Sequence, residues 1–295
     1  MTARLLDGVA LGKAIRSEVA AEVARLAEGG VQPGLAVILV GEDPASQVYV
    51  RNKGRACEEA GMKSLTLRLP AGASQDEVLA AVEQVNRDPS IHGFLVQTPL
   101  PKHVDTRLVQ RSVDPGKDVD GFHPINVGKL VLGDPTAFRP ATPYGVQQML
   151  TRNDIETRGA HAVVVGRSPI VGRPMANLLI QDGPGGNATV TVCHSRSRDL
   201  AAITRTADIL IVAIGKPRFV TADMVKPGAV VIDVGINRVD DPAAARGYRL
   251  VGDVDFQPVE AVASAITPVP GGVGPMTIAM LLVNTLQAVR QQAGA

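Results

Sequence analysis

The chain has only two cysteines, Cys57 and Cys193, among its 295 residues. Two are too few for a disulfide framework and form no metal-ligand spacing, so a stapled secreted fold is excluded and no metal is expected. An excess of either charge is also missing. Thirty Lys and Arg oppose 29 Asp and Glu, for a net charge of +1, with the basic residues spread along the chain. That pattern leaves no nucleic-acid footprint and no polybasic membrane patch. No apolar run reaches the ~18 residues of a membrane span, and Met1-Thr2-Ala3-Arg4-Leu5-Leu6-Asp7-Gly8 lacks a signal-peptide core. A reducing cytoplasm is the expected setting, with neither membrane nor nucleic acid as partner. Internal repeats and low-complexity segments are absent from the sequence as well.

What is present reads as a globular protein. Hydrophobic residues make up 45% and mean hydropathy is +0.12, enough for a substantial core, and the length suggests two domains. Glycines and prolines sit at the ends of apolar runs, where they mark turns. Helical and strand-like patterns alternate. Gly8 to Glu28 reads as an amphipathic helix, and Leu35 to Val40 as an all-apolar strand of the kind buried on both faces of a parallel sheet. Ser46 to Ala60 is helical, Ser64 to Leu69 a strand, and Ser74 to Asn86 a helix with Ser74 as cap and Glu77 at N3. Gly93 to Gln97 closes a βαβαβ order, which implies a parallel α/β sheet. From Val104 to Pro140 the signal loosens. After a helix around Pro143 to Thr151, a second α/β unit follows: strand Ala162 to Val165, helix Val171 to Ile180, then strands Thr189 to Cys193, Ile209 to Ala213 and Ala229 to Val234. A last helix, Met276 to Arg290, carries Ile278, Leu281, Leu282, Leu286 and Val289 on one stripe.

Four candidate sites stand out. If Ser46 caps its helix, Tyr49 and Lys53 are i and i+4 and point the same way, on a face continued by Ala56, Cys57 and Ala60. A desolvated lysine beside a tyrosine can exchange protons near neutral pH; the plainer reading is a lysine that snorkels past a packed helix. The run Val163 to Gly172 resembles a dinucleotide turn, with Gly166 for the tight turn, Ser168 where a second glycine would stand, and Gly172 for close helix packing. The helix N-terminus there offers free amide groups to a pyrophosphate. The next strand ends Cys193-His194-Ser195-Arg196-Ser197-Arg198, with no acid for a ribose hydroxyl, which favours a 2′-phosphate and NADP; Arg167 can reach the same phosphate. A solvated basic loop is the alternative. Gly215 and Ile236 follow two further strands, where such domains bind cofactor, although their segments read equally as ordinary turns.

On the substrate side, Gln97 ends a strand, where an amide can bind a ligand, hold a catalytic lysine or simply cap a loop. Asp118 and Asp120 share a turn-forming stretch, and spacing does not say which of them is a mere Asx-turn residue. Thr267 to Thr277 is a stiff loop of glycines and prolines, suited to a flat ligand against backbone or to a domain-crossing linker.

Taken together, the Tyr49/Lys53 segment, Gly93 to Pro101, Asp118 to Asn126, Gly166-Arg167-Ser168 and Pro268 to Thr277 resemble the bifunctional methylenetetrahydrofolate dehydrogenase/methenyltetrahydrofolate cyclohydrolase family over nearly the whole chain. The resemblance implies two parallel-sheet α/β domains with a cleft between them: residues 1–140, folate-binding and completed by a C-terminal helix at 275–295, and residues 141–274, a Rossmann-type NADP-binding domain. It implies Lys53 as the catalytic lysine, Tyr49 packing on the folate, Gln97 tuning the lysine and Asp120 binding the pterin. Gly166, Arg167, Ser168, Gly172, Ser195, Arg196, Gly215 and Ile236 fall on the cofactor side, and Pro270, Gly271 and Gly272 on the substrate side. NADP as cofactor, tetrahydrofolate derivatives as substrates and a homodimer complete the expectation. Thr98 departs from the leucine that many members carry. The competing readings are a dehydrogenase without cyclohydrolase activity, a non-catalytic nucleotide-binding protein on this scaffold, and a shikimate- or amino-acid-dehydrogenase-like oxidoreductase.

Overall fold

A computed structural model describes residues 2–244 and 247–294. Met1, with which the expected first domain begins, and Ala295, with which the expected closing segment ends, lie outside the described residues, as does the pair 245–246. The chain runs β1 (Arg4–Leu5), α1 (Gly8–Glu28), β2 (Gly34–Val40), α2 (Pro44–Glu59), β3 (Lys63–Leu69), α3 (Gln75–Arg87), β4 (Gly93–Val96), α4 (Thr106–Ser112), α5 (Pro124–Leu132) and α6 (Ala141–Arg152). It continues β5 (His161–Val165), α7 (Gly172–Ile180), β6 (Thr189–Cys193), α8 (Leu200–Thr204), β7 (Ile209–Val212), β8 (Val230–Asp233), β9 (Asn237–Asp240), β10 (Tyr248–Val251), α9 (Phe256–Glu260), β11 (Ala265–Ile266) and α10 (Val273–Gln292). Two compact units result, Lys13–Ala141 with Ile278–Ala295, and Met1–Gly12 with Thr142–Thr277.

The first of these units is built on a parallel sheet in the order β3-β2-β4. All seven residues of β2 are buried, which is why its sequence is an unbroken apolar run. Ala36, Ile38, Val40 and Phe94 form a core with Val78, Val82 and Val85 of α3. Ser74 and Glu77 form the expected capping box at the start of α3. The loosely patterned stretch after β4 holds α4 and α5, both short. The stripe expected on the last helix gives way to burial on almost every side, since Ala279, Met280, Leu281, Leu282, Asn284, Thr285, Leu286, Ala288 and Val289 are all buried. Asn284 earns its place by donating from Nδ2 to Val119 O at 2.7 Å and Arg139 O at 2.8 Å.

The other unit carries a six-stranded parallel sheet, β1-β11-β8-β7-β5-β6, and a separate antiparallel pair, β9 with β10. Val163, Val165, Leu210, Val212, Val231 and Ile266 form its core. The N-terminal residues differ from expectation here. Arg4 pairs with Ala265 and Leu5 with Ile266, while Leu6 is fully buried, so Met1–Gly12 groups with the second sheet and not with the first. Two-residue strands are too short to carry a periodic signal.

In one sheet the chain places β3 on one side of β2 and then crosses to put β4 on the other, and in the other sheet it does the same with β6 and β7 around β5. The reversal falls between β2 and β4 in one sheet, and between β5 and β7 in the other. The carboxyl ends at such a reversal leave a crevice, the usual ligand position in open α/β sheets.

Candidate active site and dinucleotide turn

Helix α2 begins at Pro44, not with Ser46 as its cap. Asp43 is the N-cap: its carboxylate accepts from the Ser46 amide at 2.7 Å, and Pro44 at the first helical position needs no amide partner. Tyr49 and Lys53 nevertheless keep their one-turn spacing. Lys53 is 7% exposed and packs on the same buried face as Ala56, Cys57 and Ala60, so it does not snorkel. Tyr49 sits at the edge, 36% exposed.

The Lys53 ammonium meets the residue at the end of β4. Nζ donates to Gln97 Oε1 at 3.0 Å, and Gln97 Nε2 donates to Thr98 O at 2.8 Å. The second bond anchors the amide so that its oxygen faces the lysine. The peptide between Thr98 and Pro99 is cis. Burial pulls the Lys53 pKa down, and the nearby Asp120 carboxylate acts against that pull. Burial in turn raises the Asp120 pKa, against the opposing effect of Lys53. Cys57, one turn further along α2, is pushed up to about 12, mainly by desolvation, and stays a thiol.

Spacing left Asp118 and Asp120 undistinguished, and the structure separates them. Asp118 is buried and accepts from Phe122 N at 3.2 Å, His123 N at 2.8 Å and Asn126 Nδ2 at 2.8 Å, a turn-organising role. Desolvation pushes its pKa up to about 7. Both aspartates line a recess with Phe94, Val96 and Phe122, but it is Asp120 whose charge acts on the lysine. Lys53, Gln97, Asp120 and Tyr49 therefore belong to one unit.

The dinucleotide-like turn belongs to the other unit. Gly166 follows β5 with φ of +138°, and a Cβ there would lie 2.2 Å from Ala213 O, the carbonyl after β7. Only glycine lets the two strand ends approach this closely. A Cβ on Gly172, the first residue of α7, would meet Gly166 O at 2.2 Å. The first-turn amides of α7 are not free, contrary to expectation. Ser168 Oγ accepts from Val171 N at 3.1 Å and Gly172 N at 3.3 Å, Ser168 O accepts from Arg173 N at 3.1 Å, and Pro174 has no amide hydrogen. Ser168 thus closes the helix end, half-buried beside the exposed Arg167. Ser195 and Arg196 are exposed after β6, in a turn where His194 Nδ1 accepts from Arg196 N at 3.2 Å. Gly215, with φ of +70°, follows β7, and Ile236, 44% exposed, follows β8. Pro270, Gly271 and Gly272 lie in this unit too, with Pro270 exposed and Gly272 buried.

Comparison with known proteins assigns both halves. Residues 6–120 match the catalytic-domain model of tetrahydrofolate dehydrogenase/cyclohydrolase, and residues 140–293 match its NAD(P)-binding-domain model. The chain belongs to the tetrahydrofolate dehydrogenase/cyclohydrolase family. It is 61% identical over 291 residues to the bifunctional protein FolD of Bordetella avium, with 99% of each chain covered. The solved bifunctional FolD methylenetetrahydrofolate dehydrogenase/cyclohydrolase of Campylobacter jejuni is 50% identical at a TM-score of 0.92, covering 98% of this chain and 99% of that one. The Trypanosoma brucei methylenetetrahydrofolate dehydrogenase-cyclohydrolase, solved with NADP cofactor and inhibitor, is 40% identical at a TM-score of 0.94, with both chains fully covered.

Within this tetrahydrofolate dehydrogenase/cyclohydrolase, sequence reasoning missed one cluster. Asp233 and Asp253 are buried at the carboxyl end of the second sheet and joined through backbone amides. Their sequence signal was the pair of small-residue contexts, Asp233-Val234-Gly235 and Gly252-Asp253. Among the described residues, no helix is long and apolar enough to cross a membrane. No group of three or more His, Cys, Asp and Glu among them could hold a metal ion.

Proposed function

We propose that this enzyme oxidises 5,10-methylenetetrahydrofolate to the 5,10-methenyl compound with NADP⁺, and then hydrolyses that compound to 10-formyltetrahydrofolate. The observation that carries the reading is Lys53: a buried amine, bonded to Gln97 at 3.0 Å and answered electrostatically by Asp120.

The two steps ask different things of the chain. Loss of hydride from C11 leaves a cation that the folate's own nitrogen lone pairs stabilise, so the residues there orient and exclude water and move no proton. Bound NADP⁺ supplies the hydride acceptor. The fit of that group rests on the glycine-bearing turn at Gly166 between β5 and α7, and on the acid-free end of β6, where Ser195 and Arg196 can bind a 2′-phosphate together with Arg167. Gly172, Gly215 and Ile236 border the remaining cofactor path, and Ser168 shapes the turn.

Hydrolysis needs protons moved. Water adds to C11 of the methenyl cation and gives up one proton, which the Lys53 amine takes and passes to solvent. The hydroxyl of the neutral adduct then loses its proton to Lys53, which delivers it to N5 as the C11–N5 bond breaks, leaving the formyl group on N10 and one proton released overall. Desolvation makes the neutral amine accessible well below the ordinary lysine range. Gln97 holds the amine, Asp120 binds the pterin and keeps Lys53 from losing its proton too readily, and Tyr49 packs on the folate. Pro270, Gly271 and Gly272 offer backbone to the substrate. The same reading carries a homodimer, testable by sedimentation, and a cytoplasmic setting. Two buried free thiols support a reducing compartment.

A time course with 5,10-methylenetetrahydrofolate, run with NADP⁺ and with NAD⁺, tests this directly. Reduced NADP forming without lasting methenyl absorbance is expected. Methenyl accumulation beyond its spontaneous hydrolysis would leave a dehydrogenase alone, and no reduction with either nucleotide would refute the reading.

A further inference from the structure

Two buried aspartates that this chemistry does not use tie together the loops at the carboxyl edge of the second sheet. Asp233, the last residue of β8, accepts through Oδ1 from Gly235 N at 2.9 Å and Asp253 N at 3.0 Å, and through Oδ2 from Val254 N at 2.9 Å. Asp253 accepts through Oδ2 from Ile214 N and Gly215 N, both at 2.7 Å, and through Oδ1 from Asn237 Nδ2 at 2.8 Å. Among the described residues neither carboxylate has an ion-pair partner. The surrounding backbone leaves room for them only because glycines stand nearby. A Cβ on Gly252 would lie 1.8 Å from Asp233 Oδ2, and one on Gly235 would lie 2.3 Å from Asp253 Oδ1.

A carboxylate buried without a cation is costly, and well-packed apolar side chains of similar volume often stabilise as much or more. What such a group adds is direction: amides from separate loops must converge on fixed lone pairs. The loops gripped here are those after β7 and β8. Gly215 has its own amide on Asp253, and Ile236 is flanked by Gly235, held by Asp233, and Asn237, held by Asp253. Both are residues to which the proposed function assigns cofactor contact.

We propose that Asp253 is the positioning residue for the nicotinamide dinucleotide, fixing the loops at Gly215 and Ile236 as one unit through the Ile214 and Gly215 amides and the Asn237 side chain. Asp253 touches no reacting atom, and its effect passes through the loops it holds. The inference rests on the cofactor reading above.

Asp253→Asn tests it, because an amide cannot accept from all three donors at once. NADP⁺ affinity is titrated for wild type and variant, beside the Michaelis constants of the dehydrogenase and the rate of methenyl hydrolysis, which needs no nucleotide. The expected result is a rise of about tenfold in both the dissociation constant and KM for NADP⁺. KM for the folate and methenyl hydrolysis should stay near wild type, whatever melting temperature the lost hydrogen bond costs, which a merely structural role would not allow. Equal NADP⁺ affinity in the two proteins overturns the proposal, as does a parallel loss of hydrolysis. Failure of wild type to bind NADP⁺ overturns the cofactor reading itself and is visible before any variant is made. Where Asp253→Asn does not fold, Asn237→Ala, which removes one donor, decides: about threefold weaker NADP⁺ binding upholds the role, and unchanged binding overturns it.

Discussion

Each of the two sheets buries charge at its carboxyl edge, and the two clusters answer that charge in opposite ways. Around Lys53 the partners are side chains, the Gln97 amide and the Asp120 carboxylate. Around Asp233 and Asp253 five of the six bonds come from backbone amides, and the sixth from Asn237. Side-chain partners leave the lysine free to gain and lose a proton, because an amide oxygen accepts from the amine in either state. Backbone donors do something else: they tie each carboxylate oxygen to fixed points on separate loops. In the functions proposed for them, one arrangement moves a proton and the other holds loops still.

The largest effect that separates them is expected from Lys53→Ala. Methenyl hydrolysis should fall by ~10²–10⁴-fold while NADP⁺ still binds, followed by the decay of methenyl absorbance and by nucleotide titration. Undiminished hydrolysis would take the proton-transfer role away from this cluster. Gly252→Ala should act on the other one, pressing a methyl into Asp233 and destabilising the protein by about 3 kcal/mol in urea unfolding. A neutral result would mean that the amide cage is looser than its geometry implies.

Asp120→Asn probes the first cluster in a subtler way. It removes the charge that holds the Lys53 pKa up, so the pH–rate profile of methenyl hydrolysis should move to lower pH, along with weaker folate binding. Asp118 and Asp233 are both pushed up to about 7 by burial, so each binds a proton more readily folded than unfolded. Their contribution to stability is complete below the unfolded value near 4 and is lost as pH rises through about 7, with a slope of at most ~1.4 kcal/mol per pH unit for each group. Asp118→Asn should flatten that slope in urea titrations between pH 4 and 8. The smallest effect belongs to Ser168→Ala, which removes the acceptor for Val171 N and Gly172 N and should cost about 1 kcal/mol in thermal unfolding.

Much of this protein could be read before folding was considered. Apolar runs marked β2, β5 and β7, since strands buried on both faces carry no alternation. Helical spacing placed Tyr49 and Lys53 on one face even though the cap was misplaced by three residues, because i to i+4 geometry does not depend on where the helix starts. The Ser74 to Glu77 capping box was legible for the same local reason. Other features had no local signature. Burial on α10 spreads beyond the one stripe that its large apolar residues mark, because small and polar residues such as Ala279, Asn284 and Thr285 are buried too, and β1 and β11 are too short to show any pattern.

Sequence alone therefore settled the order of the longer strands and helices, the resemblance to the family and the residue types at both sheet edges, all of which are written in spacings of a few residues. Only the tertiary structure decided which of two nearby aspartates acts electrostatically on the lysine, that Ser168 Oγ accepts from amides at the start of α7, and that Asp253 reaches back 38 residues to the Gly215 amide. Those outcomes depend on which buried donor finds which acceptor. That choice is made when the strands align side by side, and no neighbour along the chain can report it.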